Sequence, residues 1–206
     1  MTSDELVVKL RKTPSQARSA WTVDLILQAA AQVLEARGED WLTTKSVAEC
    51  AGVSIGTLYQ YFPNRDALIN GALADHLEAA IGAIEAAAAE ATALPLAIAV
   101  EQIVRAFLAV KAERAPISRV LNRVFGAGKL DDRPVVRAAA QRAQRAVARV
   151  LSGGDTPGPQ QIQRAGIACA ALEGVVRSAI EDDPDRLRDP QWIEQVVRVA
   201  VRTCAE

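Results

Sequence analysis

Residues 43 to 65, TTKSVAECAGVSIGTLYQYFPNR, constrain this chain more than any other stretch. The pattern predicts two short helices pinned at a tight turn, followed by the start of a third. The first of the pair runs from about Thr44 to Ala51, with Thr43 as an N-cap whose side-chain oxygen takes a free backbone N–H. Val47, Val53 and Leu58 fall at spacings that face one core, and Ala48 is small where two crossing helices touch. Gly52 stands where the backbone must turn sharply, a conformation glycine adopts without steric penalty. Ser54 then caps a second helix that carries Thr57, Tyr59, Gln60 and Tyr61 on its outer side. A helix, a glycine turn and a helix with a polar, aromatic outer face make the layout of a helix-turn-helix, whose second helix enters the DNA major groove.

The remaining sequence predicts an all-α chain of about nine helices, without alternating strand patterns or internal repeats. A helix over about Thr22–Ala36 precedes the pair, closed by Gly38. Another starts after Pro63-Asn64 and fades near Leu94, because Pro95 disfavours helix at the residue before it. Further helices are expected over about Pro95–Arg114, Pro116–Phe125, Pro134–Leu151, Gln160–Ile180 and Pro190–Cys204, the last with Asp189 as cap. A loop around Gly126–Asp132, a flexible connector at SGGDTPGP and a solvated acidic loop, Glu181-Asp182-Asp183-Pro184-Asp185, separate them. At 206 residues and 22.0 kDa the chain has room for one or two packed domains.

Bulk charge does not point to nucleic acid, since the net charge is −1 and the pI near 6.0. The local arrangement differs: Lys9, Arg11, Lys12 and Arg18 form a run free of acids just before the first helix. A basic arm there could follow the phosphate backbone or lie in the minor groove, or simply be a solvated terminus. No segment reaches the apolar length of a membrane span. The acidic N-terminus does not read as a secretory signal, and three cysteines with no pairing pattern suit a reducing, cytoplasmic setting. Catalysis finds little support. His76 is the only histidine, phosphate-cradling glycine motifs are absent, and no metal or cofactor is expected.

AGVSIGTLYQYFPNRDAL also resembles the signature of the TetR family of bacterial transcriptional regulators, and Ile26-Leu27-Gln28-Ala29-Ala30 with Arg37-Gly38 is similar to the family's first helix and its end. The resemblance covers roughly residues 16 to 75 and ends there. It implies a basic arm over 1–18, a DNA-binding domain over 19–75, and a helical effector-binding and dimerisation domain over 76–206. It implies phosphate contacts from Thr43 and Thr44, and a phosphate or guanine contact from Lys45. Ser54, Ile55, Gly56 and Thr57 would face the groove, with Ile55 against a thymine methyl and Gly56 allowing close backbone approach. Gln60 shares that outer face. The hydroxyls of Tyr59 and Tyr61, the only tyrosines present, would reach phosphates, as would Arg65 and Arg18. The partner so implied is double-stranded DNA with a palindromic operator. The activity implied is a regulator, most simply a repressor released by a small-molecule effector; a regulator without an effector, and a helical binding protein without DNA, are the rival readings.

For the second domain the expectations are coarser. Ile81, Ile84, Phe107, Val110, Leu121, Phe125, Cys169 and Leu172 are candidate linings of an effector pocket, with His76 and Glu173 supplying polarity. Ordinary core packing explains the same residues equally well. The two last long helices have wider apolar cover than one core needs. Ile162, Gly166, Ala170 and Val176, with Trp192, Ile193, Val196 and Val197, are therefore the expected homodimer interface.

Overall fold

A computed structural model of the chain describes residues 17–125 and 133–205. Among these residues it contains nine α-helices: α1 Ala17–Arg37, α2 Thr44–Ala51, α3 Ile55–Tyr61, α4 Arg65–Ala91, α5 Leu96–Glu113, α6 Ala115–Phe125, α7 Pro134–Leu151, α8 Pro159–Asp182 and α9 Pro190–Ala205. Short 3-10 helices, Glu39–Trp41 and Pro184–Arg188, complete the order. Strands are absent from the described residues, so the all-α reading holds.

Helix starts follow the local chemistry. Pro134 and Pro159 open α7 and α8, where a missing N–H leaves no intrahelical bond unmade. Asn64 Oδ1 accepts from the Ala67 amide at the start of α4, and Asp189 Oδ1 accepts from Gln191 N at the start of α9. The acidic run expected as a solvated loop is instead structured. Glu181 and Asp182 finish α8, and the following 3-10 helix buries Leu187 while Arg188 Nη2 donates to Ala112 O at 2.8 Å. One apolar residue and one donor beyond the acids hold that segment down.

The molecule divides into two compact units. The first comprises, of the described residues, 17–76 and 120–125; the second comprises 77–119 and 133–205. In the first unit Ile26 and Leu34 of α1, Leu42, Val47 of α2, Leu58 of α3, Phe62 and Leu68 of α4 close a dry core, with Val120 packed against it. Gly71 completes that core by having no side chain: a Cβ there would stand 2.8 Å from Phe62 Cε1 and 3.1 Å from Leu27 Cδ2.

In the second unit α5 packs chiefly on α9, and α7 on α8. Val100, Val104, Phe107 and Leu108 of α5 meet Val176 and Ile180 of α8 and Val196 and Val197 of α9 in one core. Three polar ties lock the helices. Arg142 Nη1 reaches Glu78 at 2.5 Å while its Nη2 and Nε reach Glu85 at 2.6 and 3.0 Å, joining α7 to two turns of α4. Those hydrogen bonds hold the Glu78 carboxyl below its ordinary range and raise the Arg142 guanidinium. Arg119 Nη2 and Nε donate to Ile180 O at 2.6 and 3.0 Å, satisfying a carbonyl at the end of α8. Lys111 Nζ, almost wholly buried, donates to Glu173 at 3.1 Å and lies 5.3 Å from the Phe107 ring centroid.

Candidate nucleic-acid interface

Backbone donors are satisfied first around α2 and α3. Thr43, extended at φ −112° and ψ 155°, accepts from Ser46 N at 3.0 Å, and Ser46 Oγ accepts from Thr43 N at 3.1 Å. This reciprocal box fixes the first turn of α2. Gly52 ends the helix with φ 65° and ψ 27°, the left-handed conformation that a Cβ disfavours, and Val53 N closes the cap on Ala48 O at 3.0 Å. Ser54 Oγ accepts from Thr57 N at 3.0 Å and starts α3. The turn geometry anticipated from the glycine and the two hydroxyl caps is therefore present.

Outward from this frame, α3 presents Ile55, Gly56, Tyr59 and Gln60, all exposed, with Thr57 half-buried. Tyr59 is 41% exposed, and its hydroxyl meets Thr44 Oγ1 at 3.1 Å. That bond joins the first turn of α2 to the outer side of α3, so the two helices offer one continuous polar surface. Lys45 is exposed on the same first turn. The Thr43 hydroxyl serves the cap, donating to Ser46 Oγ at 3.0 Å.

One expected contact needs correction, and a second side chain already has an internal partner. Tyr61 is 6% exposed and belongs to the core of the first unit, not to its surface. Leu58 and Tyr61 lie at positions i and i+3 of α3 and share its buried stripe, with Phe62 buried just past the helix end, a spacing the sequence already contained. Arg65 is half-buried, and its Nε donates to Leu42 O at 2.9 Å, an internal tie between the start of α4 and the segment before α2. The side chain of Arg18, like Lys9, Arg11 and Lys12 of the basic arm, lies outside the described residues.

The expected effector residues are spread. Ile81, Ile84 and Phe107 are buried in the second unit's core, with Val110, Cys169 and Leu172 packed partly against it. His76 and Leu121 are buried and belong to the first unit, and the Phe125 side chain is outside the described set. Glu173 pairs with Lys111, a residue the sequence reading passed over because a lysine ordinarily marks a solvated face. A cavity of about 410 Å³ described in the second unit is lined by Arg105, Leu108, Ala109, Ala112, Glu113, Leu187, Arg188 and Ile193, none of them expected pocket polar groups or linings. Burial pushes the Cys169 thiol up to about 12 and raises that of Cys204.

The expected dimer stripe is corrected in part. Val176, Val196 and Val197 are core residues of their own unit, and Trp192 and Ile193 pack partly against that core. Gly166 faces Gln144 of α7, whose Nε2 would sit 2.6 Å from a Cβ there. Outside, α8 exposes Ile162, Ile167, Ala170, Ala171, Gly174 and Val175, and α9 exposes Val199.

Residues 26–72 match the family described as bacterial regulatory proteins, tetR family, and residues 95–202 match the tetracyclin repressor-like C-terminal domain. Solved structures similar to this chain include a TetR-family transcriptional regulator from Streptomyces coelicolor (TM-score 0.70, 23% identity, 91% of this chain and 98% of that one) and one from Mesorhizobium loti (0.69, 18%, 92% and 96%). The fatty acid degradation regulator FadR of Bacillus halodurans is a third (0.66, 16%, 94% and 95%). No curated protein matches the chain in sequence. With matched segments on both sides of the division between its units, and a capped helix-turn-helix in the first, the chain belongs to the TetR family and is a DNA-binding transcriptional regulator rather than an enzyme.

Proposed function

We propose that the protein acts as a homodimer on a palindromic operator, as a repressor released by a small-molecule effector. The observation that carries the DNA side is the Thr44–Tyr59 hydroxyl bond, which makes the first turn of α2 and the outer face of α3 one surface. On this reading Thr44, Lys45 and Tyr59 contact phosphates, while Ile55, Gly56, Thr57 and Gln60 read the groove, with Ser54 holding the helix start. The exposed apolar side of α8, with small Ala170, Ala171 and Gly174 between Ile167 and Val175, supports a second copy as its cover. A dimer would place its two recognition helices in successive major grooves, roughly 34–36 Å apart. An effector in the second unit would favour a different separation and oppose DNA by about 1–3 kcal/mol of coupling. Residues 17–125 and 133–205 contain no helix long and apolar enough to cross a membrane, which accords with a cytoplasmic site of action.

Selection of bound duplexes from a random pool tests this reading, followed by size-exclusion chromatography of wild type and Ala170→Arg. Enrichment of an inverted repeat, and a variant that elutes as a monomer and loses operator affinity, are expected. Enrichment of no sequence, or an asymmetric site bound by a monomer, refutes it.

A further inference from the structure

Ile55 and Tyr59 of α3 and Trp41, just before α2, are large side chains left exposed in the first unit. The first two belong to the recognition surface. Trp41 is the most exposed of the three at 58%, and it lies in the 3-10 helix just before the cap of α2. Its backbone is not loose. Trp41 O accepts from Ser46 Oγ at 2.5 Å and from Thr43 N at 2.9 Å, so the residue is built into the same box that sets the first turn of α2. On its ring lies the Arg37 guanidinium, 5.5 Å from the centroid, at the last turn of α1. Arg37 is itself exposed, with that ring as its partner among the described side chains.

We propose that Arg37 and Trp41 form a further DNA-backbone contact, an outrigger that extends the interface beyond the α2 start. The contacts are continuous: Arg37 on Trp41, the Trp41 carbonyl on Thr43 and Ser46, and Thr44 on Tyr59 of α3. A guanidinium stacked on an aromatic ring keeps its N–H edge available, and that planar fork matches phosphate geometry. The indole pre-orients it, so less rotamer freedom is lost on binding. The contact is to backbone, so it strengthens binding to any duplex rather than choosing a sequence.

This inference rests on the regulator reading, and the experiment separates the two. Dissociation constants are measured for wild type, Arg37→Gln, Trp41→Ala and the double variant, on a duplex selected from the random pool and on an unrelated duplex of equal length, across a salt series. Arg37→Gln is expected to weaken both duplexes about tenfold at low salt and to make the plot of log K against log salt shallower by about 0.9. Trp41→Ala should give part of the same loss, and the double variant should bind no worse than Arg37→Gln, because the indole acts by holding the guanidinium. Melting curves check the fold, and the surface change Arg37→Gln decides the matter even if Trp41→Ala unfolds. Wild-type affinity and salt slope in Arg37→Gln overturn the outrigger while wild-type selectivity leaves the regulator reading standing. Absence of any selective duplex for wild type overturns that reading first and this one with it.

Discussion

Gly71→Ala should destabilise the first unit, whereas Gly82→Ala, on the same helix, should stabilise the second. Both changes gain about 1 kcal/mol of helix propensity, since alanine has less backbone freedom to lose. Their surroundings differ. A Cβ at Gly82 meets nothing within 4 Å, so the propensity gain stands alone and about 0.5–1 kcal/mol of added stability is expected. A Cβ at Gly71 falls 2.8 Å from Phe62 Cε1, well inside the 3.4 Å at which ordinary contact begins, and 3.1 Å from Leu27 Cδ2. Phe62 is fully buried and is also the residue that ends α3, so its ring can yield only by moving the recognition helix or its own neighbours. Overpacking of this kind costs about 1–3 kcal/mol, which exceeds the propensity gain over most of that range. The two variants should therefore differ by about 1–3 kcal/mol in urea unfolding followed by circular dichroism. Gly71→Ala should also lose affinity for a selected duplex, since the displaced ring carries the end of α3 with it. Equal stabilisation by both variants, with unchanged DNA affinity, would refute the claim that Phe62 is held rigidly against α4.

The tyrosines should separate by role. Tyr59→Phe removes an exposed hydroxyl bond to Thr44, leaving the melting point nearly unchanged while gel-shift affinity falls; Tyr61→Ala empties a buried site and should lower stability by about 3–5 kcal/mol. Arg142→Ala should lose about 0.5–1 kcal/mol at pH 7, the clamp being partly solvated. The Glu78 carboxyl is lowered in the fold, so this contribution is present above its unfolded value of about 4.5 and lost as pH falls through the folded one. Urea midpoints of wild type and variant should thus differ at pH 7 and 5 and converge as the pH drops further; a gap that does not shrink on acidification contradicts the ion-pair account. Thiol labelling at pH 8 should modify exposed Cys50 first, with Cys169 and Cys204 reacting only on unfolding, because burial keeps both protonated. Three equally fast thiols would overturn it.

Short-range chemistry made much of this molecule legible before any coordinates. Thr43, Ser54, Asn64 and Asp189 cap helices through bonds to residues at most three positions away, and Gly52 needs only its own φ of 65°. Such interactions depend on neighbours in the chain, so spacing alone reveals them. The family signature in 43–65 has the same local character. Its physical content is the capped turn, and that is where expectation and structure agree.

Facing is a different matter, because it depends on what lies across the helix. Tyr59 and Tyr61 look alike in sequence, yet two steps of about 100° put them on opposite sides of α3, one toward Thr44 and one toward the core. On α8 and α9 the apolar cover was evident, but only packing against α5 and α7 decided that Val176, Val196 and Val197 turn inward while Ile167 and Val175 stay outside. Lys111 escaped notice for the same reason: its burial is created by Glu173, sixty-two positions later, and by the Phe107 ring one turn back. Caps, the glycine turn and the family signature are local and follow from spacing, whereas the ordering of the acidic run and the inward turn of Val176, Val196 and Val197 were set by partners distant along the chain.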